Sequence, residues 1–449
     1  MRKVARALVR AFLAGEATVP ELRSRGVRAL GRKWPWLNRL AREVSMDFGE
    51  VLHAADHDEL VGTILRFTPF RNAFESVERP PEVRGYFPFS HTMEKAPPAL
   101  EALGIPALDT PGDVARWLEL SAAELDWFAD TAGWGSSSRA EALRHYRYRW
   151  LPKANGGLRL VEMPKSRLRA IQRRILREIL DRVPAHDAAH GCIPRRSTLT
   201  NATAHAGRRI VIRLDLRDFF AGIPASRVHA LFRTLGYPAP TARTLAGLTT
   251  ACAPNAVVKS VPMDECAGVD TRRERRAWAK RFTGRHLPQG APTSPALANL
   301  CAYRLDLRLS GAAHACASSY TRYVDDLHFS TDVDSQSRAR RLTQMVYTII
   351  LEEGFTPNLR KTRIMARARA QRVTGLVVNE HPNLSRRHYD RLKAVLTNCV
   401  RRGPESQNRD GFPNWRAHLL GRVAYLQQVN LARGERLRRL YDAISWNES

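Results

Sequence analysis

Cysteine is scarce and never paired in this chain of 449 residues. Cys192, Cys252, Cys266, Cys301, Cys316 and Cys399 form no Cys-x-x-Cys and no Cys/His cluster at zinc spacing, so neither a disulfide framework nor a structural zinc is implied. Long apolar runs are missing too: no stretch reaches the ~18 residues of a spanning helix, and Arg6 and Arg10 break the apolar core that a secretory leader needs. There is neither a P-loop nor a glycine-rich dinucleotide fingerprint, so no ATP or NAD chemistry is expected. Carboxylates are the last shortage. Asp and Glu number 44 against 72 Lys and Arg, a net charge of +28. A polyanion is the expected partner, with nucleic acid ahead of an anionic membrane because basic residues recur along the whole chain. The expectation is a cytoplasmic protein with no membrane partner.

At 44% hydrophobic residues the chain can build ordinary cores, and its length suggests about two to four domains. Residues 1–145 carry helical patterning and no chemical motif, broken by a stretch with Pro80, Pro81, Pro88, Pro97 and Pro98. Val4, Leu8 and Phe12 share one face of a short basic helix, which packs on its own domain or touches RNA. Thr110-Pro111-Gly112-Asp113 opens small helices through Val114, Leu118, Leu125 and Phe128. From Tyr146 a strand-turn-strand is predicted around Asn155-Gly156-Gly157, leading to Leu158, Leu160 and Val161. Ser166 to Val183 reads as an amphipathic helix, with Leu168, Ile171, Ile175, Ile179 and Val183 inward. Its outer face carries Arg167, Arg169, Arg173, Arg174 and Arg177, and nucleic-acid contact is expected of Arg173 and Arg177. Residues 209–215 form a short buried strand, Ser294 an N-cap followed by Pro295, and 337–353 a helix closed by Gly354. Together these make an α+β fold.

Asp215 ends the apolar strand, and Asp325-Asp326 sits at the tip of a predicted hairpin, Tyr320 to Ser330. Rigid flanks matter because divalent cations demand fixed oxygen ligands. If the two elements lie side by side, three carboxylates converge and can hold two Mg²⁺ ions about 3.5–4 Å apart for in-line phosphoryl displacement.

Three motifs in this order resemble the reverse transcriptases. Tyr323-Val324-Asp325-Asp326 is similar to the Tyr-x-Asp-Asp box, Asp215-Leu216-Arg217-Asp218-Phe219-Phe220 to the first aspartate motif, and Leu287 to Pro295 to the Pro-Gln-Gly segment. Asn201-Ala202-Thr203-Ala204-His205 and Val373-Thr374-Gly375 further resemble two boxes of the bacterial retron branch. The commoner retron form is Tyr-Ala-Asp-Asp, and Val324 departs from it without touching the carboxylates. The resemblance covers residues 146–446 or so and implies a right-hand polymerase: a mainly helical region of unknown role over 1–145, fingers and an antiparallel palm sheet over 146–382, and a helical thumb over 383–449.

The resemblance also implies roles. Asp215, Asp325 and Asp326, with the Leu216 carbonyl, would ligate two Mg²⁺ ions, Mn²⁺ serving as a substitute. Phe220 falls at the steric gate that selects deoxynucleoside triphosphates, or is an ordinary core Phe. Gln289 and Gly290 would lie against nucleotide and template. Arg159 and Lys165 would grip the triphosphate, and Lys361 would protonate the leaving pyrophosphate or stay solvated. His205 either contacts RNA or caps the segment before it, and Arg416, Arg422 and Arg436 would track duplex phosphates.

The expected function is RNA-directed DNA synthesis on a structured non-coding RNA. It would be primed from a guanosine 2′-OH, give branched single-stranded DNA and serve antiphage defence, with an effector protein encoded nearby as a further partner. The alternatives are a group II intron-like or unclassified bacterial reverse transcriptase, a non-catalytic RNA-binding scaffold, and a two-metal nuclease. Because the chain stops at Ser449, no endonuclease, added DNA-binding or RNase H domain is expected.

Overall fold

The computed structural model describes residues 1–14, 17–49, 52, 57–75, 79–85, 102–131, 133–137, 140–152, 158–262, 278–279 and 281–446. Pro88, Pro97, Pro98 and the turn Asn155-Gly156-Gly157 lie outside them. The chain forms two compact units, Met1–Thr92 and Met93–Ser449. Among the described residues no helix is long and apolar enough to cross a membrane.

The described part of the first unit is helical: Arg2–Leu13, Val19–Leu30, Leu37–Phe48, His57–Arg66 and Thr68–Glu75. Val4, Leu8 and Phe12, at helical spacing, are all buried. They join Leu22, Leu40, Val44, Ile64 and Phe70 in one core. Arg25 is buried there and donates from Nε to the Ala11 carbonyl at 2.8 Å, adding a strong donor to an end-of-helix acceptor whose only backbone partner among the described residues, the Ala14 amide, is 3.4 Å away.

The second unit has a core of its own, and it includes Leu108, Val114, Leu118, Leu125 and Ala129 beside Ile210, Leu214 and Phe329. Packing therefore divides the chain near residue 92, whereas the change in sequence chemistry lies near 145. Helix Pro111–Leu118 starts at a reciprocal Thr110/Asp113 capping box, and Ala122–Ala129 at one made by Ser121 and Glu124. Strands β1 (Tyr146–Pro152) and β2 (Leu158–Pro164) pair antiparallel. Helix Ser166–Glu178 stops short of Val183 because the chain tightens into a 3₁₀ turn, Leu180–Arg182. Helix Ser294–Cys301 begins one residue before expectation: Thr293 is the N-cap, and the Ser294 hydroxyl instead donates to the Pro288 carbonyl at 2.7 Å.

The central sheet is antiparallel, in the order β4-β5-β3-β6, from β3 (Ile210–Asp215), β4 (Ser318–Tyr323), β5 (Asp326–Thr331) and β6 (Arg363–Ala366). Ile210, Ile212 and Leu214 face the main core with Leu342, Val346 and Ile350 of helix Gln336–Glu352. Val211 points the other way, against Ala202, Val373, Leu376 and Val378. Both faces of β3 are covered, which is why four of its six residues are apolar, with Arg213 and Asp215 the exceptions. Helices Arg386–Arg402, Trp415–Val429 and Leu431–Asp442 close the described chain around Leu392, Leu396, Leu419, Val423 and Leu437.

The last two of these helices approach closely at Gly434, where a Cβ would lie 2.2 Å from the Cα of Gln427. Gly434→Ala is therefore expected to lower the unfolding free energy by about 1–3 kcal/mol, read as a lower urea midpoint.

Candidate active site

Strands β4 and β5 pair Tyr323 with Asp326, leaving Val324-Asp325 as a two-residue turn. Val324 has φ 58°, a left-handed conformation that a β-branched residue avoids and that costs about 1–3 kcal/mol. Two features hold it. A Cβ on Gly191 would stand 2.6 Å from the Val324 nitrogen, so only glycine lets that segment lie against the turn. Arg322, fully buried, donates to Asp306 Oδ1 and Oδ2 at 2.8 and 2.6 Å and to the Asn299 side chain and the Val324 carbonyl at 3.0 Å each. Tyr320 adds a hydrogen bond to Asp306 at 2.8 Å, so the buried pair has its other valences filled.

Asp215 on β3 stands in register with Asp326 on β5, and the Leu216 amide donates to the Asp325 carbonyl at 2.8 Å. The two acidic motifs are thus joined through backbone. Asp215 is 3% exposed and accepts from Asn358 at 2.9 Å and Lys361 at 2.8 Å. Arg213 binds both oxygens of Asp326, at 2.8 and 3.0 Å. Asp325 makes no ion pair among the described residues: burial, then the charges of Asp326 and Asp215, outweigh the nearby Lys361 and push its pKa up to about 6. The oxygens gathered here are carboxylate and carbonyl, a set whose chemistry would suit Mg²⁺ or Mn²⁺ better than zinc. As the side chains stand, no three His, Cys, Asp or Glu among the described residues form a ready ligand shell, and Lys361 and Arg213 are bonded to the oxygens of Asp215 and Asp326.

Beside the first aspartate motif, Phe220, Gly290, Arg169 and Arg173 line an open cleft of about 410 Å³ with Pro292 and Pro295. The Pro-Gln-Gly segment reaches it by docking on β2, where the Glu162 amide donates to the Gln289 carbonyl at 2.8 Å. Gly290, at φ 129°, has room for no Cβ beyond one 3.0 Å from the Glu162 carbonyl. A buried Glu162–His286 pair at 2.8 Å locks the same junction. Burial opposes charge on His286, but Glu162 and the Gly284 carbonyl outweigh it and its pKa is raised.

Several expected residues lie elsewhere. Lys165 spends its ammonium on the Glu141 and Ala142 carbonyls, at 2.8 and 3.0 Å, so its place is a structural tether. Arg159 is exposed on β2, and Arg177 is exposed on its helix; neither lines the cleft. Arg173, expected on RNA by its helix face alone, stands with Phe220 and Gly290. Arg169, one turn before it, is the cleft residue that sequence reasoning did not single out, and the i, i+4 spacing was its only signal. Arg416 and Arg436 are exposed on the C-terminal helices. Arg422 is half-buried near Arg391, and burial and then that second guanidinium lower its pKa.

His205 cannot contact RNA as placed. It is fully buried, with Nδ1 2.7 Å from Ser330 Oγ and Nε2 2.7 Å from Thr321 Oγ1. Thr321 in turn donates to Asn201 at 2.6 Å, so Asn201 and His205 bracket the hairpin that carries Asp325 and Asp326. Thr374 and Gly375, at φ 46° and 87°, turn between two short strands, and Thr374 donates to the Thr198 carbonyl at 3.0 Å. The two retron-like boxes therefore form one structure.

Burial, then His328, holds the His205 pKa well below the usual 6.5. Its neutral state stabilises the fold above about pH 6.5, and that contribution is lost as pH falls toward the folded value. Between pH 6 and 5, His205→Gln is expected to flatten the dependence of unfolding free energy on pH by about 1.4 kcal/mol per unit. Arg322→Leu, leaving the buried Asp306 charge without its cation, should cost about 3–5 kcal/mol in the same denaturation assay.

Residues 151–382 match the family model described as reverse transcriptase (RNA-dependent DNA polymerase). The chain is 40% identical over 341 residues to the Retron Mx65 reverse transcriptase of Myxococcus xanthus, which covers 76% of this chain and 73% of that one. It is 37% identical over 301 residues to the Retron Mx162 reverse transcriptase of the same species, covering 65% and 57%. Against the Retron Ec86 reverse transcriptase of Escherichia coli the identity is 30% over 302 residues, covering 66% and 80%. A family model over half the chain and such identity across three quarters of it leave one conclusion: the chain belongs to the reverse transcriptases, in their retron branch.

Proposed function

We propose that the chain copies part of a structured non-coding RNA into single-stranded DNA, starting from a guanosine 2′-OH so that product and RNA remain joined at a branch. It acts in the cytoplasm, in antiphage defence, with an effector protein encoded nearby. The observation that carries the polymerase chemistry is the register of Asp215 with Asp326, with Asp325 in the adjoining turn. In this reading β1, β2 and helix Ser166–Glu178 are the fingers, the four-stranded sheet is the palm, and the three helices from Arg386 to Asp442 are the thumb.

Asp215, Asp325, Asp326 and the Leu216 carbonyl would hold two Mg²⁺ ions. When bound, these supply charge neutralisation at the attacking and leaving oxygens of an in-line displacement. Holding that cluster requires Arg213 and Lys361 to yield carboxylate oxygens. Lys361, displaced from Asp215, is then placed to give a proton to the pyrophosphate. Phe220 forms the floor against which a ribose 2′-OH would clash, Gln289 and Gly290 present backbone to nucleotide and template, and Arg169 and Arg173 offer the cleft its positive charge, with Arg159 at the hairpin. Arg416, Arg422 and Arg436 follow the phosphates of the growing duplex.

The test is a labelled primer on an RNA template with Mg²⁺ and deoxynucleotides. Lengthening is expected, and Asp325→Asn should reduce it by at least ~10²-fold. Shortening of the primer would instead mark a nuclease, and no change a scaffold. Phe220→Ala should raise ribonucleotide incorporation relative to deoxynucleotide by roughly tenfold or more. Purification with the native flanking locus should yield a discrete DNA that keeps an RNA remnant after RNase; heterogeneous RNA alone would defeat the retron-specific part.

A further inference from the structure

The outward face of the first helix, Arg2–Leu13, has no part in the chemistry above. Its inward face is complete: Val4, Ala5, Leu8, Val9, Ala11 and Phe12 are all buried in the core of the first unit. Arg2, Arg6 and Arg10 follow one another at four-residue steps and are exposed, with exposed Lys3 beside them. At 100° per residue these four fall within about a quarter of the helix circumference, and the three arginines rise about 6 Å apart. The helix holds no carboxylate, and none of the four has an ion-pair partner among the described residues.

Folding does not favour this arrangement. Like charges at i, i+4 repel, and Arg2 and Lys3 occupy the first turn, where the helix dipole disfavours cations; no acidic residue relieves them. Three other arginines of the unit have structural work. Arg25 binds the Ala11 and Phe12 carbonyls, Arg84 pairs with Glu82 at 2.9 Å, and Arg32 lies over Trp34 at 3.9 Å. Among the described helices of the unit, this is the one without a carboxylate, and its ridge carries an electrostatic cost with no internal return. An anionic membrane would need an apolar face to insert, and that face is already used.

We propose that Arg2, Lys3, Arg6 and Arg10 form a docking ridge for a nucleic-acid phosphate backbone, giving the first unit a binding role separate from the polymerase site. The spacing of the arginines is comparable to the step between consecutive phosphates along a strand, and the contact is independent of base sequence. The inference extends the polymerase reading to the first unit, but it is measured by binding without deoxynucleotides. Loss of synthesis in Asp325→Asn and loss of binding at the ridge therefore appear in different assays.

The experiment compares the full chain with the triple variant Arg2→Gln, Arg6→Gln, Arg10→Gln, using a labelled RNA hairpin and a DNA hairpin of the same sequence over a range of salt. The slope of log affinity against log salt should fall by about 2–3, three contacts at roughly 0.7–0.9 each, with an affinity loss of about tenfold or more at 0.1 M salt. The thermal midpoint should stay the same or rise, since repulsion is relieved. A matched variant, Arg39→Gln, Arg42→Gln, Arg71→Gln, removes as much exposed charge from the same unit and should move the slope by less than about one unit. A greater effect on the RNA hairpin assigns the ridge to the template, and a greater effect on the DNA hairpin assigns it to the product. An unchanged slope, an equal fall in the matched variant, or loss confined to phosphatidylserine vesicles overturns the proposal.

Discussion

The ion pair between Arg322 and Asp306 is the contact on which the geometry of the acidic cluster rests. Two charges taken fully out of water are costly unless every remaining donor and acceptor is met, and here they are met in a way that reaches the turn. Arg322 spans from Asp306, on helix Tyr303–Ala315, to the carbonyl of Val324. A turn with a β-branched residue in a left-handed conformation would relax if left to itself. Fastened from below by Arg322 and walled by Gly191, it keeps Asp325 where its own carbonyl receives the Leu216 amide. A helix with no chemical motif thus governs the distance between two acidic motifs.

Two other polar assemblies extend that logic. On the far face of the sheet, Asn201 and His205 bind Thr321 and Ser330, so the strands that end in the aspartates are pinned on both sides. At the hairpin of β1 and β2, Glu162 and His286 fix the Pro-Gln-Gly segment to its strand. Each assembly is buried, and each joins residues more than a hundred positions apart. The carboxylates are consequently held by long-range side-chain bonds as much as by the sheet.

The elements that the sequence disclosed are those encoded locally. Strand β3 announced itself as four apolar residues before an aspartate, the hairpin by aromatics flanking Asp325-Asp326, and helix Pro111–Leu118 by its Thr-Pro-Gly-Asp start. Residues whose role depends on distant partners were opaque. Nothing in the neighbourhood of His205 indicates that Thr321 and Ser330 will close over it, and nothing near Lys165 indicates that two carbonyls at 141 and 142 will claim it. Arg173 was expected on nucleic acid from its helix face, but that it and Arg169 share a cleft became visible only when Gly290 and Phe220 were brought opposite. The division near residue 92 was hidden for the same reason, since packing against the core around β3 leaves no mark in the composition of residues 102–145.

Arg213 and Lys361 carry one more consequence. They neutralise two of the three aspartates with charges that belong to the polypeptide, so the acidic cluster does not depend on an added cation to remain assembled. On the two-metal reading proposed above, the fold and the reaction would differ in their need for salts: a chelator would stop synthesis without unfolding the protein, and a preparation stripped of divalent ions would keep its shape in storage.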